Sequence, residues 1–264
     1  MRIRCLDVVW IAVAFLCSCA SSGGAEGPRG NVGQPRPLFQ GDLTLSGGAY
    51  DHEIDTPGGD LQDRTEAALM AVQVEGNSRA GFGGGLSIEI MGVEDDLFED
   101  VAGDPQEIST LEVSPYFLYH VAAGDRFLMP IRLGPWIHVL ALDDPNNSIE
   151  VDWISLGLRL QLEPEVSIVR TNDFSLSVFT ALTFAGGETA IDLSGPGIDE
   201  DLESEAGMFG FEIGPRLRFS HFIASVSYLH RSFHVDESDP DPNFVVFGFD
   251  NSYDGIAFSL GGSL

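Results

Sequence analysis

The sequence contains no lysine: all 13 basic residues are arginine, against 41 Asp and Glu, for a formal charge of −28. Nucleic acid is thereby excluded as a partner, because no basic stripe exists to displace phosphate counterions. Cysteine is almost as scarce. Cys5, Cys17 and Cys19 all lie near the start, so the chain beyond them can form no internal disulfide. Long apolar runs are missing too. After the N-terminus no stretch of 18 apolar residues occurs, and mean hydropathy is only +0.08, which excludes a bundle of membrane-spanning helices. No nucleophile motif, metal-ligand spacing, calcium-loop spacing or phosphate-binding loop is present, so no cofactor, bound metal or catalytic residue is assigned.

What the sequence does have begins with an address. Arg2 and Arg4 precede the apolar run Val8 to Leu16, and small residues follow, the order of a secretory signal over residues 1–18. Leu16-Cys17-Ser18-Cys19 resembles a bacterial lipobox, which implies that Cys19 carries lipid and becomes the new N-terminus; ordinary cleavage after Ala20 is the alternative. Loss of residues 1–18 leaves 11 Arg against 40 acids, a charge of −29. Residues 19–38 read as a flexible tether, rich in Gly, Ser and Pro with no core-forming residues.

From Phe39 onward the dominant period is two, the period of a strand. Ile154, Leu156, Leu158, Leu160 and Leu162 alternate with Ser155, Gly157, Arg159, Gln161 and Glu163; Phe209, Phe211, Ile213, Pro215 and Leu217 alternate with Gly210, Glu212, Gly214, Arg216 and Arg218. Such segments fall at roughly 39–50, 66–75, 80–92, 110–122, 126–141, 151–168, 173–186, 207–219, 222–234 and 244–264. Their connections alternate between short (76–79, 123–125, 170–173, 220–221) and long (51–65, 93–109, 142–150, 187–206, 235–243). Aromatic residues mark the short-turn ends on the apolar parity: Phe39, Phe82, Tyr119, Phe127, Phe174, Phe219 and Phe222. A membrane interface places aromatics in this way, whereas a water-soluble sandwich has no reason to.

On these features residues 39–264 resemble the small outer-membrane β-barrels of bacteria. The resemblance implies an all-β, closed antiparallel barrel of about ten strands, or eight if 66–75 or 244–254 is no strand. It also implies short periplasmic turns, long acidic external loops and both termini in the periplasm. Residues 256–264 are similar to the terminal strand that the family's assembly machinery recognises, although they end in Leu264 where the family has an aromatic. The implied partners are outer-membrane lipids and that machinery.

The polar parity carries Glu75, Glu89, Glu112, Arg132, Arg159, Glu163, Glu165, Glu212, Arg216 and Arg218. Ten strands enclose an interior little wider than its own side chains, so these charges must pair. A plugged lumen follows, with Glu112, Arg132, Arg159, Glu163, Glu212, Arg216 and Arg218 as its network. The competing reading is a narrow pore for small solutes. Acids crowd the long loops: Asp95, Asp96, Glu99 and Asp100 in one, Asp199, Glu200, Asp201, Glu203 and Glu205 in another, opposed by Arg64. Carboxylate oxygens suit Ca²⁺ or Mg²⁺, although solvated loops explain them equally. His120 and His138 are expected to face the lumen as members of the polar network. His52, His230 and His234 fall near the external rim, with Asp51, Asp236 and Ser232 nearby in sequence. Barrels of this size include omptin proteases and lipid-modifying hydrolases, so His52 and His234 are candidates for a rim enzyme. A lipid-tethered soluble β carrier is the remaining alternative.

Overall fold

Alternating side chains impose extended strands with two unlike faces, and the computed structural model consists of such strands. It describes residues 39–54, 61–78, 81–93, 107–124, 126–144, 149–171, 173–195, 198–238 and 248–263. The signal, the tether with Cys19, the acids 95, 96, 99 and 100, and Leu264 lie outside the described residues.

The strands are β1 (Phe39–Ile54), β2 (Leu61–Asn77), β3 (Phe82–Val93), β4 (Glu107–Ala123), β5 (Phe127–Asp144), β6 (Ile149–Leu162), β7 (Glu165–Arg170), β8 (Phe174–Gly195), β9 (Ile198–Phe219), β10 (Phe222–Val235) and β11 (Phe249–Ser263). All pair antiparallel with their neighbours, and β11 pairs with β1 from Gln40–Ser263 to Ile54–Phe249, closing the sheet. β6 and β7 share one position in the barrel. Both pair with β5, Ile131 opposite Leu162 and Phe127 opposite Val166, in an unbroken register. Pro164 has no N–H to contribute at the interruption, yet its carbonyl still accepts from Thr180 N at 3.0 Å. The eleven segments therefore form a ten-stranded closed barrel.

Following paired residues once around, from Phe39 through Gly76, Gly84, Phe117, Leu133, Leu160, Phe184, Phe209, Ser232 and Ser252, returns to β1 at Asp51, twelve residues along. This stagger sets the tilt of the strands. It also brings the turn-end aromatics to one level. Phe82 and Phe219 are among the most exposed apolar residues, and Phe82 stacks on Tyr119 at 4.8 Å. Above them the outer wall is apolar, with Phe117, Leu133, Leu158, Val178, Ile213, Phe258 and Leu260 all exposed. Tight connections need residues with positive φ, which Gly81, Gly124 and Ser220 supply at the short turns.

Strand ends depart from the sequence reading mainly at the loop side. The expected long connection 187–206 is instead part of a continuous hairpin, β8 and β9 pairing up to Gly195–Ile198. Alternation persists there because Thr189, Ile191, Leu202 and Ala206 are buried inward while Glu188, Glu203 and Glu205 intervene. Connection 142–150 shrinks to the residues between Asp144 and Ile149, and β2 begins at Leu61 rather than 66. The last strand starts at Phe249 instead of 244.

Candidate functional site

Ten strands carry alternate side chains into a narrow interior, so what occupies the lumen decides what the molecule can do. Toward the turn end it is ionic. Arg132 donates to Glu163 at 2.7 Å and to Glu75 at 3.1 Å, and all three are at least nine-tenths buried. Arg216 bridges Glu163 and Glu165, and Arg218 completes a fork on Glu165, with Ser177 also donating to that carboxylate at 2.7 Å. The guanidinium of Arg216 lies 3.9 Å above the Phe179 ring. Midway up, Arg159 pairs with Glu112, whose second oxygen accepts from Trp136 Nε1 at 3.1 Å. Arg231 meets Glu89 at 3.5 Å, and Glu212 accepts from Ser227 at 2.6 Å. Each of the seven residues of the expected network is thus inside and partnered. A charge withdrawn from water is costly unless opposed and hydrogen-bonded; the arginines and the glutamates they pair with are both, and Glu212 is held by the Ser227 hydroxyl.

Toward the loop end the lumen turns apolar, which the sequence reading did not foresee. Tyr50, Leu69, Trp136, Leu140, Trp153, Ile191, Phe233, Phe249 and Tyr253 form one buried cluster. Trp153 meets Phe249 edge-on at 5.2 Å, and His138 packs on Phe233 at 4.2 Å and Trp136 at 5.7 Å. His138 therefore belongs to this aromatic layer and not to the ion network. The signal was present: Trp136 shares parity with Arg132, Trp153 with Arg159, and Phe233 with Arg231. Arg231 and Asp42, both on the inner face, were missed for the same reason. Hollows of about 80 Å³ beside Arg132 and about 40 Å³ beside His138 lie within these layers.

The rim histidines separate. His52 is buried, faces inward, and hydrogen-bonds Asn251 through Nδ1. His234 faces outward between Asp250, 2.7 Å from Nδ1, and Asp236, 2.9 Å from Nε2. The two therefore stand on opposite sides of the sheet. The outer wall of β10 and β11 instead carries three successive opposed pairs: His230–Asp254, Ser232–Ser252 and His234–Asp250. Nδ1 of His230 lies 3.0 Å from Asp254 Oδ1, and the Tyr228 hydroxyl donates to the same oxygen. Arg64 faces Asp51 at 3.5 Å, two strands away. Among the described residues no cluster of three or more His, Cys, Asp or Glu is arranged to hold a metal ion.

The outer membrane protease OmpT of Escherichia coli superimposes on this chain with a TM-score of 0.52, covering 87% of it and 97% of OmpT at 11% identity. The fold is that of a bacterial outer-membrane β-barrel. The translocator domain of the autotransporter NalP from Neisseria meningitidis aligns over 97% of this chain and 96% of its own at 9% identity, with a TM-score of 0.41. At such identities the likeness concerns the fold alone. No protein-family model matches the sequence, and no curated protein matches it.

Proposed function

We propose that this outer-membrane-type barrel resides in the bacterial outer membrane as a sealed, non-conducting protein that meets other molecules on its outer wall and external rim. The observation that carries this reading is the filled interior. Paired charge occupies the turn-end half of the bore and a packed aromatic cluster the loop-end half. The membrane itself is supported by the apolar outer wall, since a water-soluble monomer rarely exposes so continuous an apolar surface. In this reading the short turns face the periplasm, lipid on Cys19 adds a second anchor, and the acidic loop ends face outward, where divalent cations from the medium would neutralise them. The likeness to OmpT brings no proteolysis with it.

Planar bilayers test the sealed lumen. The purified barrel is expected to give no current above background, and discrete conductance steps at neutral pH would overturn the proposal. Arg159→Ala with Arg132→Ala, which removes two guanidiniums from the plug, serves as the positive control for insertion and is expected to admit ions.

A further inference from the structure

The outward face of β10 and β11 changes character along its length. From the turn end upward it presents Phe222, Val226 and Tyr228 on one strand and Leu260, Phe258 and Ile256 on the other, all exposed. His230 and Asp254 then stand opposite each other where that apolar run ends, followed by Ser232 opposite Ser252. Polar side chains on a wall otherwise built for hydrocarbon are expensive unless they have a task. The level is informative. Where an apolar belt gives way to polar groups is where the acyl esters of a lipid lie, between chains and headgroup.

We propose that Ser232, His230 and Asp254 form an acyl-ester hydrolase site on the outer wall, acting on membrane lipid that reaches it sideways. This rests on the reading that the barrel spans a membrane. His230 Nδ1 is 3.0 Å from Asp254 Oδ1, which fixes the proton on Nδ1 and leaves the lone pair on Nε2. Tyr228 donates to the same carboxylate and holds it in place. Ser232 is the next outward residue on the strand of His230, about 7 Å further along the same face, and in this site its hydroxyl would turn to Nε2 of that imidazole as substrate binds. It also lines an open hollow of about 660 Å³ at the rim, together with Ser252, Asp250, Asp51 and Arg64.

The Ser232 hydroxyl attacks the ester carbonyl carbon as Nε2 of His230 takes its proton. The carbon–alkoxy bond breaks, and the departing alcohol receives that proton. Water then attacks the acyl-serine, its proton passing through His230 back to Ser232, and the fatty acid is released. Asp254 and Tyr228 are positioning residues, facing the imidazolium that forms in each half.

Folded barrel in vesicles of phosphatidylethanolamine, and separately with lipopolysaccharide, provides the two possible sources of ester, with free fatty acid as the readout. Fatty-acid release from either source is expected, abolished by Ser232→Ala and unchanged by His234→Ala. Asp254→Asn should lower kcat at least 100-fold with KM retained and displace the pH profile. A fluorophosphonate should label Ser232. Labelling of Ser252 instead, or no release from either lipid by protein that shows the heat-dependent gel shift of an inserted barrel, overturns the site. Absence of the gel shift itself would overturn the membrane reading on which the site rests.

Discussion

Arg132 shows how much rests on single residues inside a narrow barrel. It is 5% exposed and answers two carboxylates, Glu75 and Glu163, at once. Arg132→Met would leave Glu75 without a cation and Glu163 with Arg216 alone in a region of low dielectric, and a loss of about 3–5 kcal/mol is expected. Denaturant unfolding from lipid vesicles measures it as a lower midpoint. Arg64→Met is the contrast, since Arg64 is 67% exposed and its partner Asp51 is 3.5 Å away. Exposed pairs contribute at most about 1 kcal/mol, so its midpoint should barely move. The ionic residues were legible in the sequence because charge on an otherwise alternating strand has one place to go. The aromatic ones were not. A tryptophan suits a lipid wall and a filled lumen equally well by composition, and only strict parity with Arg132 or Arg159 separates the two.

At the scale of the strand, alternation revealed every barrel position but misjudged where strands stop. β8 and β9 outlast their expected ends because Ile191 and Leu202 continue to bury inward although acids flank them. A run such as residues 198–205 reads as a solvated loop when charge is counted and as a strand when every second residue is followed. Close approach of backbones is another property of elements. Gly157 on β6 lies opposite Gly187 on β8, and a Cβ added at either would run into the facing carbonyl, of Gly186 or of Leu156. Gly157→Val should force these strands apart, slowing folding into vesicles and lowering the yield of the heat-shifted gel species. Gly47→Ala, where a Cβ meets nothing within 4 Å, should fold as the parent does.

Taken whole, the barrel exposes apolar side chains on its outer wall while keeping most of its ionised groups in the lumen or near its ends. A membrane-inserted protein of this kind should remain with the membrane after a carbonate wash and migrate differently on gels before and after boiling. Extraction by carbonate together with identical migration would point to a water-soluble β domain. Closure was foreseen from the even number of segments and their alternating connections, and the pairing of β1 with β11 realises it. Function was less legible. The sequence offered His52 and His234 as candidates for a rim enzyme, and that one faces inward and the other outward follows only once the register is known.

A filled cylinder also differs mechanically from a hollow one. With guanidinium–carboxylate forks across one half of its bore and interlocked rings across the other, this barrel has little freedom to flatten when lateral pressure in the surrounding bilayer changes. Groups mounted on its outside, such as the paired rungs of β10 and β11, would hold their spacing whether the lipid around them is fluid or gel.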